Sequence, residues 1–424
     1  MGWKTATLGE ICDQVGGVIQ TGPFGSQLHQ SDYSQEGIPL VMPKDIIEGR
    51  IATDSIARVA TEHVERLSRH KLKSGDIVYG RRGDIGRQAL VRQPQEGWLC
   101  GTGCLRLSLG SSVIEPTFLH YYLRESEVIG WITNQAIGAT LPNLNTSILR
   151  SVPVHLPPLP TQRKIAAILS AYDDLIENNL RRIRILEDMA QNLYREWFVK
   201  FRFPGHQYAR FVDSPLGRIP EGWEVKNMPD AVIIRPSLPV PKNGQIPFVS
   251  MGSLSETSML ISEIEYRPKA SGARFQNGDT LFARITPCLE NGKTGFVQFM
   301  PSDVTIACGS TEFIVLRSRT LCPEYVYLMA RSDLFRDNAL KSMSGATGRQ
   351  RVREDCFNQF LLAQPSAKIL EHFQMIARPQ FDMIYSLSLK NQNLRRTRDL
   401  LLPRLISGEV DVSELDIAIP EEAA

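Results

Sequence analysis

The sequence predicts an α+β chain in which two similar mixed α/β domains are separated by two long antiparallel helices forming a coiled-coil spacer, with the halves in pseudo-two-fold relation. Three observations predict it. The chain is similar to itself, in order, at an offset of about half its length. Segments rich in Gly, Pro and β-branched or aromatic residues read as short strands joined by turns. Two long runs carry apolar residues at three-and-four spacing, the mark of amphipathic helices.

The repeat comes first, because a missed repeat misreads every later element. Gly2-Trp3 answers Gly222-Trp223, and Gly37-Ile38-Pro39-Leu40-Val41 answers Gln245-Ile246-Pro247-Phe248-Val249. LKSGDIVYGRRGDIG (72–86) resembles FQNGDTLFARITPCLENG (275–292), in which Gly-Asp turns the chain into an apolar strand that ends on a basic turn. Gly138-Ala139-Thr140 answers Gly345-Ala346-Thr347, and Asn179-Leu180-Arg181-Arg182 answers Asn393-Leu394-Arg395-Arg396. Preserved order makes duplication the reading.

In chain order, residues 1–155 form the first domain, with strands such as DIVYG. After VPVHLPPLP, a helix runs from an N-cap at Thr161 to about Lys200 within a spacer segment 156–202, carrying Ile165, Leu169, Tyr172, Ile176, Ile183 and Leu186 on its apolar stripe. At 1.5 Å per residue it would extend roughly 60 Å, which suits a spacer. Residues 203–365 form the second domain, with strands such as LFARI and TEFIVL. A second helix starts near Ser366 within segment 366–410 and carries Ile376, Ile384, Leu387 and Leu394, with a tail at 411–424. Pro379 should bend it, since a mid-helix proline removes a backbone bond. Asn179 and Asn391 fall in the apolar seams, where a polar residue either fixes register or lies in solvent.

Composition narrows the function. The 48 Lys and Arg against 46 Asp and Glu give a net charge of +2, so any anion-binding surface must be local rather than global. MGWKTATLGE lacks a leader pattern and no stretch is apolar enough to span a bilayer, so a cytoplasmic chain with no membrane partner is expected. Seven scattered cysteines argue against a disulfide framework. Cys100 and Cys104 have no second ligand pair, so no metal is expected. Gly292-Lys293-Thr294 imitates the end of a phosphate-binding loop, but Pro287 stands where the leading Gly is required. Neither an Asn-Pro-Pro-Tyr nor an Asp-Pro-Pro-Tyr loop for amino-methyl transfer occurs, nor a His-Glu-x-x-His zinc motif. No catalytic residue is assigned.

Four segments together carry a family resemblance: the opening WKTATLGEI, the strand-turn KSGDIVYGRRGDIG, the run GATLPNLNTSILRSVPVHLPPLPTQRKIAAIL, and the closing LRRTRDLLLPRLISGEVDV. Over essentially its whole length the chain resembles the specificity subunit of type I restriction-modification systems. The resemblance implies a non-catalytic subunit with two target-recognition domains, each reading one half of a split site on double-stranded DNA. It also implies helices that dock a pair of methyltransferase subunits, joined by restriction subunits. No cofactor is expected in this chain; S-adenosylmethionine would belong to the methyltransferase partner, ATP and Mg to the restriction partner. The second half departs from the pattern after its Gly-Ala-Thr, lacking the Pro-Pro-Leu and Gln of the first. A structural coiled-coil adaptor, or the specificity part of a fused restriction-methylation protein, are the other readings. The adaptor leaves the duplicated Gly-turn domains unexplained, and a fused enzyme needs motifs absent here.

Base reading needs paired donors or acceptors, Arg to guanine and Asn or Gln to adenine, on turns that approach the duplex. The candidates in the first domain are Ser26 and Gln27 in GPFGSQ, Arg81 and Arg82 in YGRRGDIG, and Thr140, Asn143 and Asn145 in GATLPNLN. In the second they are Arg284 and Thr286 in FARITP, and Thr347, Arg349, Gln350 and Arg351 in GATGRQRVR. Each could instead cap a turn or touch a phosphate, which carries no sequence information. The apolar stripe residues named above are assigned to partner packing, and the helix clusters around Arg181 and Arg395 to partner packing or a helix-face charge match.

Overall fold

The computed structural model describes residues 3–83, 85–136, 143–240, 244–346, 348 and 350–419. The chain divides into two compact units, one of residues Met1–Ile176 with Asn393–Ala424, the other of Glu177–Gln392. Each unit holds one sheet-rich domain and a portion of each long helix, and each has its own principal apolar core. No helix among the described residues is long and apolar enough to cross a membrane.

The two domains repeat one topology. In unit 1, strands Val18–Thr21, Cys104–Ser108, Ile77–Gly80 and Gln88–Leu90 form an antiparallel sheet in that order. In unit 2, Val232–Ile234, Phe313–Ser318, Thr280–Ala283 and Thr294–Phe296 do the same. The Ile-Pro strands recur in a second sheet. Ile38–Val41 runs parallel to Leu99–Cys100 and antiparallel to Ala57–Val59; Ile246–Val249 runs parallel to Ala307–Gly309 and antiparallel to Glu265–Arg267. A short antiparallel pair closes each domain, Lys4–Thr7 with Pro153–Leu156 and Glu224–Asn227 with Leu361–Gln364.

The Gly-Asp turns show why those dipeptides are repeated. Gly75 and Gly278 have φ of 84° and 83°, a region that favours glycine, and their amides bond to the carbonyls of Val91 and Val297. The following carboxylates are buried and paired. Asp76 accepts from Arg106 Nε at 2.6 Å, and Asp279 accepts from both Nε and Nη2 of Arg317 at 2.7 Å. A buried carboxylate needs such a partner, so each turn is fixed both by backbone geometry and by an ion pair.

The first long helix spans Leu159–Tyr194, starting two residues before the expected cap at Thr161, and continues as a π-helical turn over Arg195–Val199. Gln162, nearly inaccessible, pins its start: Oε1 accepts from Glu115 N, and Nε2 donates to the carbonyls of Pro157 and Val113. The second spans Ala367–Ile406 and runs uninterrupted through Pro379, with Ala377 and Phe381 on either side both in the unit 2 core. Within unit 2 the pairing of the helices is antiparallel, because Asn179 meets Asn391 while Trp197 meets Phe373.

The stripe residues named from the sequence are mostly consumed by this folding. Ile165 and Leu169 are buried in the unit 1 core and Ile183, Ile384 and Leu387 in that of unit 2, while Ile176 is buried outside both. Tyr172, Leu186 and Leu394 are half-buried and Ile376 is exposed. Five of the named residues are thus packed into their own domains, as a helix stripe folds first against its own domain. Besides Ile376, the apolar side chains that these helices leave exposed are Leu175 and Leu400 in unit 1 and Leu180, Ile185, Met189, Met375, Met383 and Leu389 in unit 2.

Candidate nucleic-acid interface

In both domains the polar loops singled out from the sequence leave the same end of the antiparallel sheet, and main-chain bonds join them there. In unit 1 the amide of Gly22 bonds to Cys104 O, that of Arg81 to Gly103 O, and that of Leu144 to Arg81 O, at 2.8–2.9 Å. A β-bridge pairs Arg82 with Asn143. In unit 2 the amide of Arg235 bonds to Val315 O, that of Arg284 to Glu312 O, and that of Val352 to Arg284 O, at 2.7–3.0 Å, and a bridge pairs Ile285 with Arg351. Arg81 and Arg284 therefore occupy one position of a shared frame, as do Asn143 and Arg351, and Gly103 and Glu312.

The frame brings Ser26, Gln27, Arg81, Arg82, Asn143 and Asn145 to the sheet end of unit 1, and Arg284, Thr286, Gln350 and Arg351 to that of unit 2. Thr140, Thr347 and Arg349 lie outside the described residues. Ser26, Arg82 and Asn143 are exposed. The GPFGSQ turn is held by Gln27, whose Oε1 accepts from Phe24 N while its carbonyl accepts from Arg66, and the ring of Phe24 is 59% exposed. Gly22 must be glycine, since a Cβ there would lie 2.1 Å from Gly101 O. Arg81 donates Nε to Leu144 O at 3.3 Å and has no carboxylate partner among the described residues. Two other candidates are occupied by local structure. Asn145 is the N-cap of helix Thr146–Arg150, accepting from Ile148 N at 2.9 Å. Thr286 is buried, and exchanges bonds with Gln350 through its amide and its Oγ1.

The electrostatics of the two ends differ. In unit 2 Glu312 accepts from Arg351 Nη2 at 2.9 Å and from Arg284 Nε at 3.1 Å, and Glu354 accepts from Arg235 at 2.8 Å and Arg284 at 3.1 Å. The Arg351 guanidinium first, with Arg284, holds the Glu312 carboxyl below its ordinary range. Arg235 carries φ of 52°, a conformation uncommon for a side-chain-bearing residue. A cleft of about 500 Å³ opens beside it, lined by Arg235, Arg274 and Arg284 among others. Sequence reasoning missed Arg235, Arg274, Glu312 and Glu354. Arg235 ends a β-branched run before a proline, a signal that was available, whereas Glu312 is visible only once TEFIVL is known to pair with the strand that ends at Ala283.

Of the basic clusters on the helices, Arg398 is structural. It donates to Asp173, which also accepts from Tyr121 Oη at 2.8 Å and lies 3.5 Å from Arg124. Arg395 lies 3.6 Å from Glu48, while Arg181 and Arg182 are exposed.

Comparison with known proteins follows the same lines. The family described as "Type I restriction modification DNA specificity domain" matches residues 1–187. The chain is 26% identical over 401 residues to the type I restriction enzyme MjaIX specificity subunit of Methanocaldococcus jannaschii, covering 91% of this chain and 89% of the relative. It is 22% identical over 472 residues to the HindI specificity subunit of Haemophilus influenzae, covering 96% and 99%. In fold it is similar to the crystal structure of a type I restriction-modification system S subunit from M. genitalium, with a TM-score of 0.56 at 14% identity, over 95% of this chain and 96% of that one.

Proposed function

We propose, from the match of residues 1–187 to the type I restriction modification DNA specificity domain family, that this chain is a non-catalytic subunit whose two units each read one half of a split site on double-stranded DNA. The observation that carries the reading is the shared frame. Leu144 N to Arg81 O in one unit and Val352 N to Arg284 O in the other hold Asn143 and Arg351, different polar side chains, at equivalent points of one scaffold. A scaffold that is constant in its main chain and variable at its tips suits two readers of two different half-sites. Arg, Asn and Gln supply the paired donors and acceptors that base edges require.

Methyl transfer then falls to partner subunits that bring S-adenosylmethionine, and cleavage to restriction partners that use ATP and Mg. The apolar side chains left exposed on the long helices, Leu180, Ile185, Met189, Met375 and Met383 among them, are candidates for the methyltransferase contact, since exposed apolar patches of this kind commonly mark interfaces. The test is to replace residues 1–155 with those of a relative and map methylated motifs across a host genome. One half of the motif should change and the other stay. A change in both halves, or in neither, would overturn the two-reader proposal, and methyl transfer by the purified chain alone would overturn the non-catalytic one.

A further inference from the structure

The cleft at the sheet end of unit 2 is basic beyond what its carboxylates neutralise. Glu312 and Glu354 are shared among Arg235, Arg284 and Arg351. Arg274, on strand Ala273–Phe275, is set opposite Cys308 and donates to the carbonyl of Leu238, with no carboxylate partner among the described residues. Arg235, Arg274 and Arg284 line the open space, and with Arg351 beside them four guanidiniums stand with two carboxylates, an excess of two positive charges. Thr311 and Ser237 add hydroxyl-bearing residues to its lining.

The first unit supplies an independent comparison. Leu99 pairs with Leu40 there as Cys308 pairs with Phe248 in unit 2, and Lys71 bridges Leu99 as Arg274 opposes Cys308. Lys71 is therefore the counterpart of Arg274, and Arg81 that of Arg284. Their surroundings have diverged: Gly103 stands for Glu312, Asn143 for Arg351, and Gln20, opposite Arg106 as Arg235 is opposite Val315, stands for Arg235. Two cationic positions persist where the tips around them differ, which points to a ligand that is the same for both units. Bases differ between half-sites; the sugar-phosphate backbone does not.

We propose that this cleft seats a backbone phosphate of duplex DNA between Arg274 and Arg284, and that Lys71 and Arg81 form the corresponding seat in unit 1. The inference rests on the DNA-reading function above and deepens it by separating positioning residues from base readers. It is tested with the full chain by titrating mixed-sequence duplexes at several salt concentrations. Arg274→Gln, which removes the charge while keeping a donor for Leu238 O, should weaken binding equally on duplexes of different sequence. It should also lower the slope of log affinity against log salt by about 0.9, the value for one phosphate contact. Arg274→Lys should retain the slope, and Lys71→Ala should lower it by a similar amount through the other unit. An unchanged slope in both charge-removing variants, or a loss confined to particular sequences, would overturn the phosphate seat while leaving DNA reading intact. Absence of duplex binding by the unaltered chain would instead overturn the reading itself. Inorganic phosphate should displace duplex no better than sulfate at equal ionic strength. Saturable displacement that Arg274→Gln abolishes would make the cleft a free-phosphate site and overturn the inference.

Discussion

Asn179 donates its Nδ2 to the Oδ1 of Asn391 across 2.8 Å, one amide from each long helix, both buried in the seam. A buried amide that loses its partner bears the full cost of desolvation, about 1–3 kcal/mol, whereas replacing both members by apolar groups is close to neutral. Asn391→Leu alone should therefore lower the urea midpoint of unfolding, and Asn179→Leu with Asn391→Leu should restore most of it. A double variant as unstable as the single one would mean that the pair does more than satisfy itself.

Asp173 is the acceptor at the centre of a buried cluster with Tyr121, Arg124 and Arg398. Burial by itself would raise its carboxyl, but Arg398, Tyr121 and Arg124 outweigh it and hold the group below its ordinary 3.8. A carboxyl lowered in the folded state stabilises fully above its unfolded value, and that contribution is lost as pH falls through the folded one. Asp173→Asn should cost up to about 3–5 kcal/mol at neutral pH, because it takes the buried carboxylate from Arg124 and Arg398 and leaves Arg398 only the exposed Asp399. Its stability should also fall less steeply below pH 4 than that of the unaltered chain, as followed by urea unfolding across pH.

Asn145 caps helix Thr146–Arg150, so its role is separable from base reading. Asn145→Ala should destabilise by about 0.5–2 kcal/mol, and Asn145→Asp or Asn145→Ser should recover most of that. Methylation mapping should find the same recognised motif in all three. An altered motif in the stable Ser variant would return Asn145 to the base-reading set.

Glu312 holds two guanidiniums at the tip of unit 2. Glu312→Ala releases Arg351, leaves Arg284 held by Glu354 alone and removes a negative charge, so non-specific duplex binding should tighten, most at low salt. Discrimination at the half-site read by unit 2 should fall at the same time, because an arginine fork without its acceptor is no longer aimed. The measure is affinity for duplexes mutated in one half-site at a time, and equal losses in both halves would contradict the assignment.

The duplication, the strand-rich domains and the long helices were legible because each rests on local chemistry: Gly-Asp turns, alternation with β-branched residues, and helical periodicity. Side-chain assignments were harder. Ile165 and Leu169 lie on a real apolar stripe, but periodicity says only that a face is covered, not by what, and their own domain covers it. Asn145 and Thr286 are polar residues in polar loops, and only the partner atoms, Ile148 N and the main chain of Gln350, separate capping and loop pairing from recognition. Arg274 escaped notice because its importance comes from a strand register that sequence spacing does not encode. Pro379 predicts a bend from the sequence; the helix runs through it, with alanine and aromatic packing on either side.

The joints between the polar loops are made by amides and carbonyls, Arg81 with Gly103 and Leu144, Arg284 with Glu312 and Val352. Every amino acid but proline brings both groups, so a mutation that changes what a loop tip recognises does not have to rebuild what holds the loop. Asn143 and Arg351, so different in charge and reach, already occupy equivalent joints within one chain. A lineage carrying this scaffold can therefore change its target by single substitutions, or by acquiring a whole foreign half, without passing through an unfolded ancestor.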